Sequence, residues 1–172
     1  GYKNLITYQK SEVIYDGTIY FTNRFFKKFD RTIDQMVQAA RSGKQNIVEA
    51  SMASGTSKEM EIKLTNVARA SSEELKVDYM DFLRSNNLPI WDIKHKLTQR
   101  FREINKTPKA NYNTYKKAIE NDSPEICANS MICLISIVSF LLNKQIQQLE
   151  SNFLKEGGLK EKMTKARLNN RA

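Results

Sequence analysis

The sequence predicts an all-α protein, and three observations carry that prediction. Only 3 prolines and 6 glycines occur in 172 residues, while Lys, Arg, Glu, Gln, Leu and Ile are plentiful. Apolar residues recur at spacings of three and four over most of the chain, the period of one helix face. Turn-forming residues gather at a few places between these periodic stretches. The length suits one well-buried domain and is short for two.

The first periodic stretch, "VIYDGTIYFTNRFFKKF" from Val13, puts Ile14, Thr18, Phe21, Phe25 and Phe29 on one stripe. Asp30 interrupts it as a cap or bend. The period resumes through Ile33, Met36, Val37, Ala40, Ile47 and Val48, which predicts one long or kinked helix to about Ser51. Gly43-Lys44 inside it resembles a phosphate loop, but that motif needs Gly five residues before the pair and Ser or Thr after it. Gln38 and Gln45 stand there instead. Gly43 lies near Ala40 and Ile47 on the helical wheel, so it predicts close approach of a neighbouring helix at roughly 1 kcal/mol of lost propensity.

"ASGTSKEMEIKL" is a break and restart, with Thr56 and Glu59 spaced as a capping box. Met60, Leu64, Val67, Ala68, Ser71, Leu75, Tyr79, Phe82 and Leu83 then form the longest stripe, stopped by Asn86, Asn87 and Pro89. "DIKHKLTQRFREI" predicts a short basic amphipathic helix with Ile93, Leu97, Phe101 and Ile104 on its apolar side. Residues 105–122 read as a loop with a brief helical turn.

Ser123-Pro124 starts the last long helix and Gly157-Gly158 stops it. No charge occurs between Ile126 and Asn143, yet the dense apolar part, Met131 to Leu142, is short for a span of about 20 residues, so no membrane insertion is expected. Asn129, Ser136, Asn143, Gln147 and Glu150 leave only one narrow polar stripe. A single core cannot cover so much apolar circumference, which predicts a second copy of the chain against this helix. Residues 1–158 are thus expected to form one domain and 159–172 a basic, flexible tail.

The net charge of +9 is unevenly spread, with eight cations against Glu103 alone in residues 94–117. Lys94, Lys96, Arg100, Arg102, Lys106, Lys109, Lys116 and Lys117 are therefore the candidate nucleic-acid-binding residues, acting on phosphates, since no base-reading motif accompanies them. An acidic protein partner is the alternative. Catalytic groups do not converge: His95, the one histidine, lies between Lys94 and Lys96 and reads as an exposed cation or phosphate contact. Glu49, Glu59, Glu61, Glu73, Glu74, Asp78 and Asp81 lack the Glu-x-x-His pairs of a bundle di-metal site, and zinc spacing is missing. No enzyme activity, metal or cofactor is expected. Cys127 and Cys133, about 600° apart on a helix, read as reduced and buried, and no leader pattern opens the chain, which together predict a cytoplasmic location.

"DRTIDQMVQAARSGKQNIVEAS" followed by "TSKEMEIKLTNVARASSEELKVDYMDFLR" resembles the bacterial four-helix-bundle suffix-domain family. That family is similar to the four-helix proteins of ribosomal RNA intervening sequences and to the accessory variability protein of diversity-generating retroelements. The resemblance rests on Gln35, Ala40, Ser42, Asn46, Ile47, Glu49, Ser57, Glu59, Ala68, Ser71 and Glu74. Ala50 replaces a glycine common in those relatives, which moves the expected turn to Gly55. The resemblance implies an up-down four-helix bundle and a pentameric ring. The suffix-domain group has no assigned chemistry, but the retroelement relative is similar to a basic scaffold that binds a reverse transcriptase and nucleic acid, so a non-enzymatic nucleic-acid-binding scaffold or reverse-transcriptase accessory protein is the expectation.

Overall fold

The computed structural model describes residues 1–107, 109–157 and 159–172. After a 3-10 turn at Tyr2–Asn4 come α1 (Ile6–Phe25), α2 (Arg31–Ala53), α3 (Lys58–Ser85), α4 (Lys96–Asn105), α5 (Tyr112–Ile119), α6 (Pro124–Glu156) and α7 (Leu159–Asn169). No strand occurs among the described residues.

The single helix expected up to Ser51 is two helices. Phe29 enters the left-handed region at φ 71°, which ends any helical continuation, and stands 89% exposed instead of completing the stripe of Phe21 and Phe25. Asp30 is a cap, its carboxylate accepting from the Thr32 amide at 2.9 Å. The α2–α3 turn spans 54–56, around Gly55, but the capping box is absent. Ser57 Oγ accepts from the Met60 amide at 3.1 Å, while Thr56 donates backwards to the Ala53 carbonyl. Ser57→Ala should therefore cost about 1 kcal/mol and Thr56→Ala much less. Thermal midpoints of the two variants check this.

The core lies between α1, α2, α3 and α6, which touch in the pairs α1–α2, α2–α3, α3–α6 and α6–α1. Phe21 sits at its centre, with ring centroids 4.9 Å from Tyr79 and 4.8 Å from Phe82, and Thr18 shares a 2.9 Å hydrogen bond with the Tyr79 hydroxyl. Met60 and Val67, expected in the α3 stripe, are exposed; the buried edge runs instead through Glu61, Thr65, Ala68, Ser72, Leu75, Tyr79 and Leu83. α2 and α3 do approach closely at Gly43, where a Cβ would stand 3.4 Å from Ser72 Oγ. The tighter requirement is at Gly17 of α1. A Cβ there would lie 2.9 Å from Met131 Sδ and 3.3 Å from Ile119 Cγ2, both buried.

Ser123 caps α6 and Pro124 opens it. Gly157 ends it at φ 74°, while Gly158 lies outside the described residues. Met131, Leu134, Ile135, Val138 and Leu142 are all buried in the core. The length argument against a span needs correction, because by length and composition alone this helix could cross a membrane; 56% of its most apolar stretch is buried inside the fold. Asn129 does not belong to a solvent-facing polar stripe, being 2% exposed. Much of the apolar surplus on α6 is met within the chain, because α4 and α5 bring Phe101, Tyr115 and Ile119 into the same buried cluster. The brief helical turn expected in the 105–122 loop is the two-turn helix α5. Asn111 and Thr114 form a capping box at its start. The 159–172 stretch carries α7, whose side chains from Glu161 onward are exposed.

Candidate anion-binding surface around α4 and α5

Residues 86–95 set the position of α4. Asn87 turns the chain at φ 53° after α3, and Pro89 then delivers Trp91 to the side of α6. Asn129 on α6 holds this loop. Its Oδ1 accepts from the Trp91 amide and its Nδ2 donates to the Pro89 carbonyl, each at 2.9 Å. Trp91 Nε1 donates to Glu125 Oε1 at 2.9 Å. The indole then stacks on His95 with centroids 4.3 Å apart and planes 6° from parallel.

His95 is accordingly not the exposed side chain that its lysine neighbours led one to expect. It is half-buried and caps α4, with Nδ1 accepting from the Leu97 amide at 3.2 Å. Phe101 is the side chain of α4 that reaches the core. The rest of this short helix lies over α6 with its cations outward.

Lys94, Lys96, Arg100, Arg102, Lys106, Lys109, Lys116 and Lys117 are all exposed. Lys106 pairs with Glu103 at 2.8 Å and Lys116 approaches Glu120 at 3.9 Å. Among the described residues the other six form no ion pair. They do not converge on one point. Arg102 borders a cavity of about 460 Å³ with Ile93, Ile132, Ile137 and Phe140, whereas Arg100 and Lys117 border another of about 480 Å³. Lys109 faces a third concavity shared with Lys3, and Lys116 a shallow one beside Asp122. The charge is thus spread around α4 and α5. Trp91 and Phe101 line both of the first two cavities.

No protein-family model, curated protein or solved structure matches the chain.

α4 and α5 are pinned to α1 by Lys10, a lysine only 5% exposed. Its Nζ donates to Asn105 Oδ1 and to the Tyr115 hydroxyl, each at 3.1 Å, and it forms no ion pair among the described residues. Burial pulls the Lys10 pKa below the usual lysine range and pushes that of Tyr115 up. A depressed lysine pKa means the unfolded chain binds more protons, so this burial penalty is largest at neutral pH and fades as pH rises toward the ordinary lysine value. Lys10→Met should therefore raise stability at pH 7, by a margin that shrinks by pH 9.5. Tyr115 can still donate to Asn105, so the substitution strands no acceptor. Urea midpoints across that pH range measure the difference.

Both cysteines are free thiols, Cys127 buried and Cys133 half-buried. Burial pushes the Cys127 thiol up to about 11 and raises that of Cys133, which leaves both protonated and unreactive at neutral pH. Among the described residues no group of three His, Cys, Asp or Glu side chains is placed to hold a metal. Sequence reasoning missed Trp91, Asn129 and Lys10. A tryptophan two residues after a proline, and an asparagine in an uncharged helix, were the available signals for the first two. Lys10 left none.

Proposed function

We propose that this chain is a non-enzymatic, cytoplasmic scaffold that binds nucleic acid through its phosphates, without sequence readout, using the α4–α5 excursion. The observation that carries this reading is the distribution of unpaired cations. Lys94, Lys96, Arg100, Arg102, Lys109 and Lys117 are spread around two short helices, and no more than two of them, Arg100 and Lys117, share any of the cavities described. A point anion needs convergent donors, whereas a polymer with charge every few ångströms is matched by charge that is spread out. Pairing α1–α2, α2–α3, α3–α6 and α6–α1 is what an up-down four-helix bundle would make, and it supports assigning that topology to the core. The resemblance to suffix-domain and retroelement accessory proteins points to a ring of five. An outward apolar strip on α6, where Phe140 is 57% exposed beside Ile137, gives a subunit neighbour something to cover.

The test is a salt series with labelled single- and double-stranded DNA and RNA. Wild-type affinity should fall steeply with salt. Replacing Lys94, Lys96, Arg100 and Arg102 with glutamine should weaken binding to unrelated sequences about equally, and flatten the log–log salt slope by up to about 0.9 per lost contact on duplex DNA. Absence of retention at low salt would transfer the surface to an acidic protein partner. Light scattering that finds only the 19.9 kDa chain at micromolar concentration would remove the ring.

A further inference from the structure

The cavity between α4, α5 and α6 has a composition that a phosphate-binding surface does not need. Its volume of about 480 Å³ lies within the range of small-molecule sites. Trp91, Leu97, Phe101 and Ile104 give it aromatic and aliphatic walls. Two cations, Arg100 and Lys117, come to the same cavity from different helices, and neither is paired with a carboxylate among the described residues. A third feature is independent of both. Ser130 on α6 lines the cavity, is fully buried, and its hydroxyl has no hydrogen-bond partner among the described residues. A buried hydroxyl without a partner is costly to a fold, so a ligand group that pairs with it gains a bond without displacing another.

We propose that this cavity binds a small aryl carboxylate that carries a hydrogen-bonding group on its ring. The carboxylate meets Arg100 and Lys117, the ring lies among the apolar walls, and the ring substituent satisfies Ser130. A purely aliphatic acid would leave Ser130 unpaired, and a neutral aromatic would leave the two cations unused. The site stands apart from the polyanion reading. Arg100 and Lys117 are common to both, but Ser130 is fully buried and takes no part in the polyanion surface.

Trp91, the one tryptophan, lines the cavity and reports binding by its fluorescence. The probes are 3-(4-hydroxyphenyl)propionate, 3-phenylpropionate and the amide of the first, titrated into the intact chain. The hydroxylated acid should give a saturable change, and both the other probes should bind more weakly. Ser130→Ala should cost the hydroxylated acid roughly fivefold, the worth of one neutral hydrogen bond, and make the two acids equal. The Arg100→Gln/Lys117→Gln double variant should lose most of the preference for acid over amide, while Arg102→Gln, at the neighbouring cavity, should leave all three probes unchanged. No saturable response at millimolar acid, or an equal loss in Arg102→Gln and the double variant, overturns the proposal. Nucleic-acid binding that survives Ser130→Ala while acid binding falls separates the two readings.

Discussion

Phe21→Ala is expected to lower the unfolding free energy by about 3–5 kcal/mol. The ring is fully buried on α1 and meets four other aromatic rings, Phe25, Phe26, Tyr79 and Phe82, with centroids between 4.8 and 6.0 Å away. Three of the four neighbours are held by other attachments. Tyr79 is fixed by its hydrogen bond to Thr18, Phe82 belongs to the long α3, and Phe25 lies in the last turn of α1. They cannot collapse into the space, so most of the cavity would remain and its cost would add to the lost transfer energy. A small domain holds about 5–15 kcal/mol in total, which makes this one deletion a large fraction of the whole. Urea titration should show a lower midpoint with an unchanged slope. Phe29→Ala, the same deletion at an exposed left-handed position, should change little. Equal effects at the two positions would reject the packing described for Phe21.

Asn129→Asp should be the most damaging isosteric change, at about 2–4 kcal/mol. The side-chain amide now donates to the carbonyls of Pro89 and Glu125, both at 2.9 Å. An aspartate puts an oxygen in that place, so two bonds become two oxygen–oxygen contacts in a buried site, while the bond from the Trp91 amide survives. The loop should come away from α6 before the core fails. Trp91 fluorescence should shift to the red under conditions where the helical circular dichroism is still intact. An unshifted emission would mean that the Trp91 Nε1–Glu125 bond holds the loop unaided.

The long helices were legible because their signals are local. Ser123-Pro124 opens α6 by its own chemistry, and the α3 stripe is long enough to show its period even though Met60 and Val67 stand outside the core. The interruption at Asp30 was legible, but its size was not, because the apolar residues Phe25, Phe26 and Phe29 keep the helical spacing through it; the backbone turn at Phe29 leaves no mark in a residue type that rarely adopts it. α5 was read as no more than a brief helical turn in a loop because only Tyr115 and Ile119 of its eight residues are buried, too few to show a period, although the Asn111–Thr114 capping pair was there to be read. At the surface, the eight cations were legible because exposure is the ordinary state of Lys and Arg. Lys10 was not, since nothing distinguishes a buried lysine until the groups that receive it, Asn105 and Tyr115, are brought from about a hundred residues away.

The core closes on itself by joining α1 to α6, with Gly17 seated against Met131. On the ribosome this gives the fold an order in time. α1, α2 and α3 are complete long before Glu156 is added, and at ordinary elongation rates the interval is on the order of ten seconds. Throughout it, α1 and α3 hold open the sides that α6 will cover, with Gly17 an empty notch between them. α2 and α3 can associate at once, being joined by a short turn, whereas the α1–α6 contact must close the long loop between Gly17 and Met131. α6 is thus the last of the four core helices to be made, and until it arrives the faces of α1 and α3 that it covers stay open.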